Sequence, residues 1–268
     1  MAKVDILLPY WGDVGLLKIA VESIVAQTEK DWRLLVFDDC YPSDEPAHYF
    51  AQLDDDRITY HRHKENLGIT KNFNFALEQA TAEYCVMMGC DDRMLPNYIE
   101  VALANVGNAD FYQPGVDVID ANGTVYLPLG DRVKAFLRPK KAGLYAGEKL
   151  AASLCNGDWL YFPSILWRTK TIKKYGFNPE YKIAEDVALE LAIIKDGGTL
   201  CVDKTITFQY RRFAKSLSSI EKSKGGVRFT EEAEVYSHFA QTFKELGWKR
   251  ASHAARWHIT SRIHHSIQ

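Results

Sequence analysis

The sequence predicts an α/β fold: a doubly wound, mostly parallel sheet with a small antiparallel section and C-terminal helices. Three observations predict it. Short β-rich apolar runs alternate with longer runs whose apolar residues recur at helical spacing. The alternation breaks at an Asn122-Gly123 turn flanked by strand-like segments, a hairpin signal. From about Thr230 onward the pattern is helical only.

The elements follow in order. "KVDILLPYW" is an apolar strand ending at Pro9, and it leads through Gly12 and Asp13 into "LLKIAVESIVAQ", where Leu16, Leu17, Ala20, Val21, Ile24 and Val25 recur with helical spacing. "WRLLVFDD" and "RITYHRH" are further strands. "ITKNFNFALEQA" sets Phe73, Ala76, Leu77 and Ala80 on one helical face, and "EYCVMMG" is a fourth strand. Strands and helices alternating at these lengths predict parallel pairing. "DFYQPGVDVIDANGTVYLPL" reads as two strands around the Asn122-Gly123 turn, "GEKLAASLCN" as a short helix and "SILWRT" as a buried strand. "IAEDVALELAIIKDGG" is a helix opening on Glu185 and Asp186 and closed by Gly197 and Gly198. "TLCVDKTITFQYRR" is the last strand, and "EEAEVYSHFAQTFKELG" and "WKRASHAARWHITSRIHHS" are two terminal helices.

With 268 residues, 47% of them hydrophobic, the chain is long enough for a substantial core. A net charge of -2 gives no sign of a nucleic-acid partner, yet the charge is unevenly spread. Residues 1–210 carry 22 Lys and Arg against 30 Asp and Glu, whereas residues 211–268 carry 11 against 5. The five cysteines form no CxxC pair, which fits a reducing compartment rather than a disulfide scaffold or a zinc site. The N-terminus enters a strand at once, without the apolar core of a signal peptide, and no run reaches the length of a membrane span, so a cytoplasmic location is expected.

Chemistry concentrates where strands end. In doubly wound sheets ligands gather beyond the carboxyl ends of the strands, and Trp11, Asp13, Asp38, Asp39, Asp91 and Asp92 all fall there. Adjacent carboxylates such as Asp91 and Asp92 are costly after a buried strand unless a cation, a basic side chain or open water meets them. A hard cation, Mg²⁺ or Mn²⁺, suits them; a solvated loop is the plainer reading.

The ordered set "VDILLPYWGDVGLLKIAVESIVAQTEKDWRLLVFDDC", "NLG", "EYCVMMGCDD" and "AEDVALELAIIKDGG" resembles the family-2 glycosyltransferases with the GT-A fold, over roughly residues 3–215. The resemblance implies a GT-A-like catalytic domain over residues 1–220, with a nucleotide-binding half at 1–110 and an acceptor-binding half at 111–220, followed by a helical extension at 221–268. It implies inverting transfer of a sugar from a nucleotide-diphosphate donor, with UDP expected, to a hydroxyl of a glycan or lipid-linked acceptor in polysaccharide or glycoconjugate biosynthesis. Trp11, beside Pro9, matches the aromatic that packs on the base. Asp39, with Asp38, matches the acid that reads the base edge; a turn or helix-capping role competes. Lys71 stands near the expected diphosphate. Asp92 matches the residue holding Mn²⁺ or Mg²⁺, with Asp91 beside it, and Asp186 matches the base that takes the acceptor proton, with Glu185 its nearest competitor and a helix-start role compatible with either.

The sequence also departs from the family. "YWG" replaces the usual "TYN", "DDCYPSD" is one residue longer than "DDGSTD", and Phe213 stands where a metal- or phosphate-binding His is common. Arg211 or Arg212 then becomes the candidate for neutralising the diphosphate. Ser216 and Ser218 belong to a segment expected to close over the donor. Trp159 and Tyr161 are candidates for stacking on an acceptor sugar, with core packing the commoner fate of such residues. The basic helix "KRASHAARWHITSRIHH" is a candidate contact with the inner face of a membrane, against a plain reading as a solvated helix. Two other function classes remain at this point: a non-catalytic nucleotide-sugar or glycan-binding module of the same fold, and a nucleotidyltransferase, whose glycine-rich basic loop is not evident.

Overall fold

A computed structural model describes residues 2–212 and 227–258. Strands β1 (Val4–Tyr10), β2 (Trp32–Asp38), β3 (Ile58–Arg62) and β4 (Tyr84–Met87) pair in parallel in the order β3-β2-β1-β4. Helices α1 (Val14–Val25), α2 (Glu45–Ala51) and α3 (Ile69–Gln79) form the connections. The sheet continues through β8 (Leu166–Arg168), β6 (Phe111–Ile119), β9 (Thr199–Arg211) and β5 (Arg93–Met94), while β7 (Gly143–Ala146) pairs with the first residues of β9. The antiparallel β4–β8 and β8–β6 pairs restore the original direction at β6, and β9 runs parallel to it. Six strands therefore share one direction and β5, β7 and β8 oppose it, the mostly parallel α/β sheet expected.

The strands alternate between two cores. In β1, Ile6, Leu8 and Tyr10 face one side with α1, α4 (Tyr98–Asn105) and Phe50 of α2; Leu7 faces the other with α3, α6 (Gly147–Asn156), α7 (Thr169–Tyr175) and α8 (Glu185–Lys195). The second core also takes in α9 (Val227–Glu245) and α10 (Lys249–Trp257), through Tyr236, Phe239, Phe243, Ala251 and Ala255. Buried Asp5 sits in β1 because Arg33 chelates it at 2.9 Å through two nitrogens and the N–H groups of Thr81 and Ala82 donate to it, which satisfies a charge that burial would otherwise penalise.

One expected strand is corrected. The arm after the Asn122-Gly123 turn is reduced to a single bridge, Ile119 to Val125, plus the Tyr126 N–H donating to Val118 at 2.9 Å. Pro128 has no N–H to extend pairing and instead begins α5 (Leu129–Leu137). The turn itself forms: Gly123 has φ +83°, and the Asp120 carboxylate accepts from the N–H groups of Asn122 and Thr124 at 2.9 Å. Helices α2, α4, α5 and α7 and strands β5 and β7 were not anticipated.

Gly115 lies where β6 bends against β9, and a Cβ there would stand 2.5 Å from the Lys204 carbonyl oxygen and 2.7 Å from the Thr205 carbonyl carbon. Because backbone cannot move aside as a side chain can, Gly115→Ala is expected to destabilise the protein by about 1–3 kcal/mol, read from chemical denaturation; unchanged stability would show that the strands tolerate separation.

Candidate active site

The carboxyl edge of the parallel strands carries a continuous polar rim. The first loop over it contains Trp11, 49% exposed and edge-on to Tyr41 at 6.3 Å, an aromatic face open to a ligand. Pro9 is the penultimate residue of β1 and is half-buried. Gly12 packs close to Cys90, joining this loop to the one after β4. Asp39 is held beside it: its own N–H donates to Tyr10, and its carboxylate accepts from the N–H groups of Leu67 at 2.6 Å and Gly68 at 2.9 Å. It thereby shapes the "NLG" turn leading into α3, where Lys71 stands exposed in the first turn. Asp38 is fully buried and committed to the protein, accepting from the Tyr41 N–H at 2.7 Å and from the Tyr60 hydroxyl.

After β4 the chain turns back over Gly89, and the carboxylates of Asp91 and Asp92 converge on the space above it. A Cβ on Gly89 would lie 2.6 Å from Oδ2 of Asp92 and 3.1 Å from Oδ1 of Asp91. Asp92 is 1% exposed; its Oδ1 accepts from the Arg211 N–H at 2.8 Å, and its Oδ2 is buried without a hydrogen-bond partner. Burial, and then the Asp91 charge, push the Asp92 carboxyl well above the usual carboxylate range, and burial pushes Asp91 up as well. Arg211 braces the pair without offering its charge outward. Its guanidinium donates to the carbonyls of Asp91 at 2.7 Å, Asp120 at 2.8 Å and Ala121 at 3.0 Å.

Arg212 is the more open cation. It is paired through Nε with buried Asp131 of α5 at 2.6 Å, and Tyr161 donates to the same carboxylate at 2.9 Å. Its charge reaches Asp92 and opposes the upward push on that carboxyl. Tyr161 therefore lines the rim from below, 8% exposed. Trp159, in contrast, is enclosed in the core at 1% exposure, its indole N–H donating to Ser153 at 3.1 Å, and presents no face to a sugar.

Asp186 lies in the first turn of α8. Because α8 leads into β9, a strand in the common direction, its N-terminus sits at the same carboxyl edge as Asp39 and Asp92. The link is physical: Thr70 of α3 donates to the Tyr181 carbonyl at 2.8 Å, tying the approach to α8 to the "NLG" side. Glu185 is buried and Asp186 half-buried. One helical turn on, Glu190 is 1% exposed, and burial followed by the charges of Asp158 and Asp186 raises its carboxyl well above the ordinary range. Lys134 closes the circuit, meeting Asp158 at 3.3 Å and lying over the Tyr161 ring at 5.0 Å.

Asp131, Lys134 and Glu190 were not singled out from sequence; only Glu190, four residues after Asp186 on one helical face, left a pattern to read. Glu231 of α9 was also missed. Its Oε2 accepts from three successive N–H groups, those of Lys182 and Ile183 at 2.9 Å and Ala184 at 3.4 Å, fixing the segment that delivers Asp186. Phe213, Ser216, Ser218, His264 and His265 lie outside the described residues. Among the described residues no cluster of three or more His, Cys, Asp or Glu could hold a metal. The Asp91–Asp92 pair fits a divalent ion nonetheless: two hard oxygen donors converge over a glycine, one of them buried and unpartnered.

Residues 5–131 match the model of glycosyl transferase family 2. The Escherichia coli protein WcaA, named as a colanic acid biosynthesis glycosyl transferase, is 32% identical over 103 residues, 38% of this chain and 37% of that protein. The chain spans between 32% and 57% of the length of the first curated relatives it matches. Among solved structures, S. aureus TarS 1-349 in complex with UDP-GlcNAc superposes with a TM-score of 0.68 at 17% identity, covering 89% of this chain and 65% of that one. The mannosyltransferase PcManGT from Pyrobaculum calidifontis in complex with GDP-Man and Mn²⁺ superposes with a TM-score of 0.62 at 14% identity, covering 96% of this chain and 69% of that one. At these identities the likeness establishes the fold this chain shares with them.

Two outcomes follow from this geometry. The folded protein binds a proton at Asp92 more tightly than the unfolded chain does, so this carboxyl stabilises the fold below the ordinary carboxylate range and loses that contribution as pH rises through its lifted value. In the metal-free protein Asp92→Asn should therefore raise the melting temperature at neutral pH, with the gain shrinking toward pH 4; a lower melting temperature at neutral pH would contradict the stated burial cost. Glu231→Ala leaves three backbone donors without their acceptor and should cost about 1–3 kcal/mol in denaturant unfolding.

Proposed function

We propose that this protein transfers a sugar from a nucleoside-diphosphate donor, with UDP the expected base carrier, to a hydroxyl of a glycan or lipid-linked acceptor, with inversion at the anomeric carbon. The observation that carries the reading is the convergence of Asp91 and Asp92 over Gly89 with Oδ2 of Asp92 buried and unpartnered. A site of that kind is unfavourable until positive charge arrives, which is what a donor complex brings.

Each residue then has a task. Trp11 offers its exposed face to the base, and Asp39, anchored to the turn before α3, is placed to read the base edge with the lone pairs that Leu67 and Gly68 leave open. Asp92 and Asp91 would hold Mn²⁺ or Mg²⁺. The chemistry such an ion supplies when bound is neutralisation of the charge that grows on the departing diphosphate. Arg212, kept in place by Asp131, adds a fixed positive charge on the same side, and Lys71 extends it from α3. Asp186 accepts the proton of the acceptor hydroxyl as that oxygen bonds to the anomeric carbon; the bond from that carbon to the diphosphate oxygen breaks on the opposite face, and its electron pair leaves with the nucleotide. Burial, followed by the charges of Asp158 and Asp186, raises the Glu190 carboxyl, so Glu190 is held toward its neutral form beside the proposed base.

The complex of one structural neighbour with UDP-GlcNAc, and of another with GDP-Man and Mn²⁺, supports a nucleotide-sugar donor and a divalent ion. A donor screen by thermal shift, with and without Mn²⁺, tests the reading directly: a UDP-sugar should raise the melting temperature only with the ion present. No stabilisation by any nucleotide sugar would refute it. Asp186→Asn should lower kcat by about 10²–10⁴-fold while leaving donor binding unchanged, and undiminished turnover would remove Asp186 from the base role.

A further inference from the structure

Helix α5 is built inside out. Its sequence, LGDRVKAFL, has an apolar stripe at Leu129, Val133 and Phe136, spaced for one helical face. In an ordinary surface helix that stripe would face the core. Here the opposite face does: Asp131 is 1% exposed and ion-paired with Arg212, and Lys134 donates to the Leu160 carbonyl at 2.6 Å. The apolar stripe is left outside, with Leu129 70%, Val133 41% and Phe136 75% exposed, and Val125 and Leu127, each 55% exposed, lead into it. Of thirteen large apolar side chains exposed among the described residues, six lie within residues 125–136.

The exposed charges carried by residues 125–146 have one sign. Between Val125 and Ala146 the sequence has five basic residues and a single acid, Asp131, which is buried and already paired. The charged side chains that remain exposed are Arg132, Lys140 and Lys141, and Lys140 lies over the Phe136 ring at 5.3 Å. An apolar stripe whose own segment exposes only cations matches an anionic lipid surface, where the acyl boundary takes the side chains and the headgroups take the charges. The helix also stands in the right place, since its inner face holds the Arg212 and Tyr161 that border the site.

We infer that α5 and the segment leading into it dock this protein on an anionic membrane surface, so that the site rim faces lipid-linked acceptors. For the acceptor this rests on the transfer reading above; for the docking it does not. It also moves membrane contact away from the basic C-terminal helix. In the described part of that segment, α10, the small apolar residues Ala251, Ala254 and Ala255 go to the core, and Lys249, Arg250 and Arg256 lie on a solvated face with Trp257 as its large apolar group; residues 259–265 of it lie outside the described residues.

The test is co-sedimentation of the full chain with vesicles of phosphatidylglycerol and phosphatidylcholine, compared with phosphatidylcholine alone, for wild type, the double variant Leu129→Ser/Phe136→Ser and a charge reversal Arg250→Glu/Arg256→Glu on α10. Wild type should partition to the anionic vesicles, and the α5 variant should lose about tenfold or more of that partitioning, with an unchanged melting temperature and unchanged donor binding, because both residues are largely exposed. The α10 variant should retain binding to within about twofold, since its cations lack an apolar stripe to insert. Absence of wild-type binding, loss confined to the α10 variant, or a dimer that Leu129→Ser/Phe136→Ser converts to a monomer without vesicle binding would each overturn the proposal. Vesicle binding without any sugar transfer would leave the docking intact and refute only the transfer reading.

Discussion

Two adjacent carboxylates at the end of β4, Asp92 buried and Asp91 half-buried, are the constraint around which the site is arranged. Asp92 has lost its water, keeps one hydrogen bond from the Arg211 N–H, and faces Asp91 across the space above Gly89. Such an arrangement survives because the surrounding backbone is tied down in more than one place. The Arg211 guanidinium stitches the carbonyl of Asp91 to those of Asp120 and Ala121, so the last strand, the β4 loop and the Asn122-Gly123 turn become one rigid piece. A residue that resembles a ligand contact in sequence thus works as scaffold. The neighbouring Arg212, set by Asp131 and Tyr161, keeps its charge close enough to act on Asp92.

The acceptor side depends on a different set of ties. Asp186 needs its helix start at the carboxyl edge, and α8 is held there from both directions, by Thr70 on the nucleotide side and by Glu231 from α9. The carboxylate of Glu231 against three N–H groups supplies the negative charge that helix beginnings favour. The C-terminal helices are therefore more than a cover. Their aromatic residues share a core with α6 and α8, and one of their acids fixes the segment that delivers the candidate base. The cluster of Glu190, Asp158 and Lys134 beneath Asp186 adds a local field that no single residue announces.

Helix α5 joins the two sides. Its charged face completes the rim through Asp131 and Lys134, and its apolar face is consequently turned outward. The helix cannot present both faces inward, and the buried ion pair with Arg212 decides which one goes in. Local patterning alone would place it the other way round, which is why hydrophobic periodicity fails as a guide at this one position.

The sequence by itself determined the parallel half of the sheet and its two-sided core, because β1, β2 and β4 are short apolar runs whose alternate residues must be covered on both faces, with helices of matching period between them. It also determined that Asp39, Asp91 and Asp92 stand at strand ends, since strand termination is local and direction follows from the connections. The tertiary structure decided the rest. Whether Trp159 faces a sugar or the core, whether Arg211 or Arg212 offers its charge, and whether Asn122-Gly123 opens a full strand or a single bridge depend on partners far away along the chain. Ser153 for Trp159, three distant carbonyls for Arg211 and the helix that begins at Pro128 are contacts that spacing cannot encode. Burial and pairing are properties of the packed molecule, and they alone left an oxygen of Asp92 without a partner.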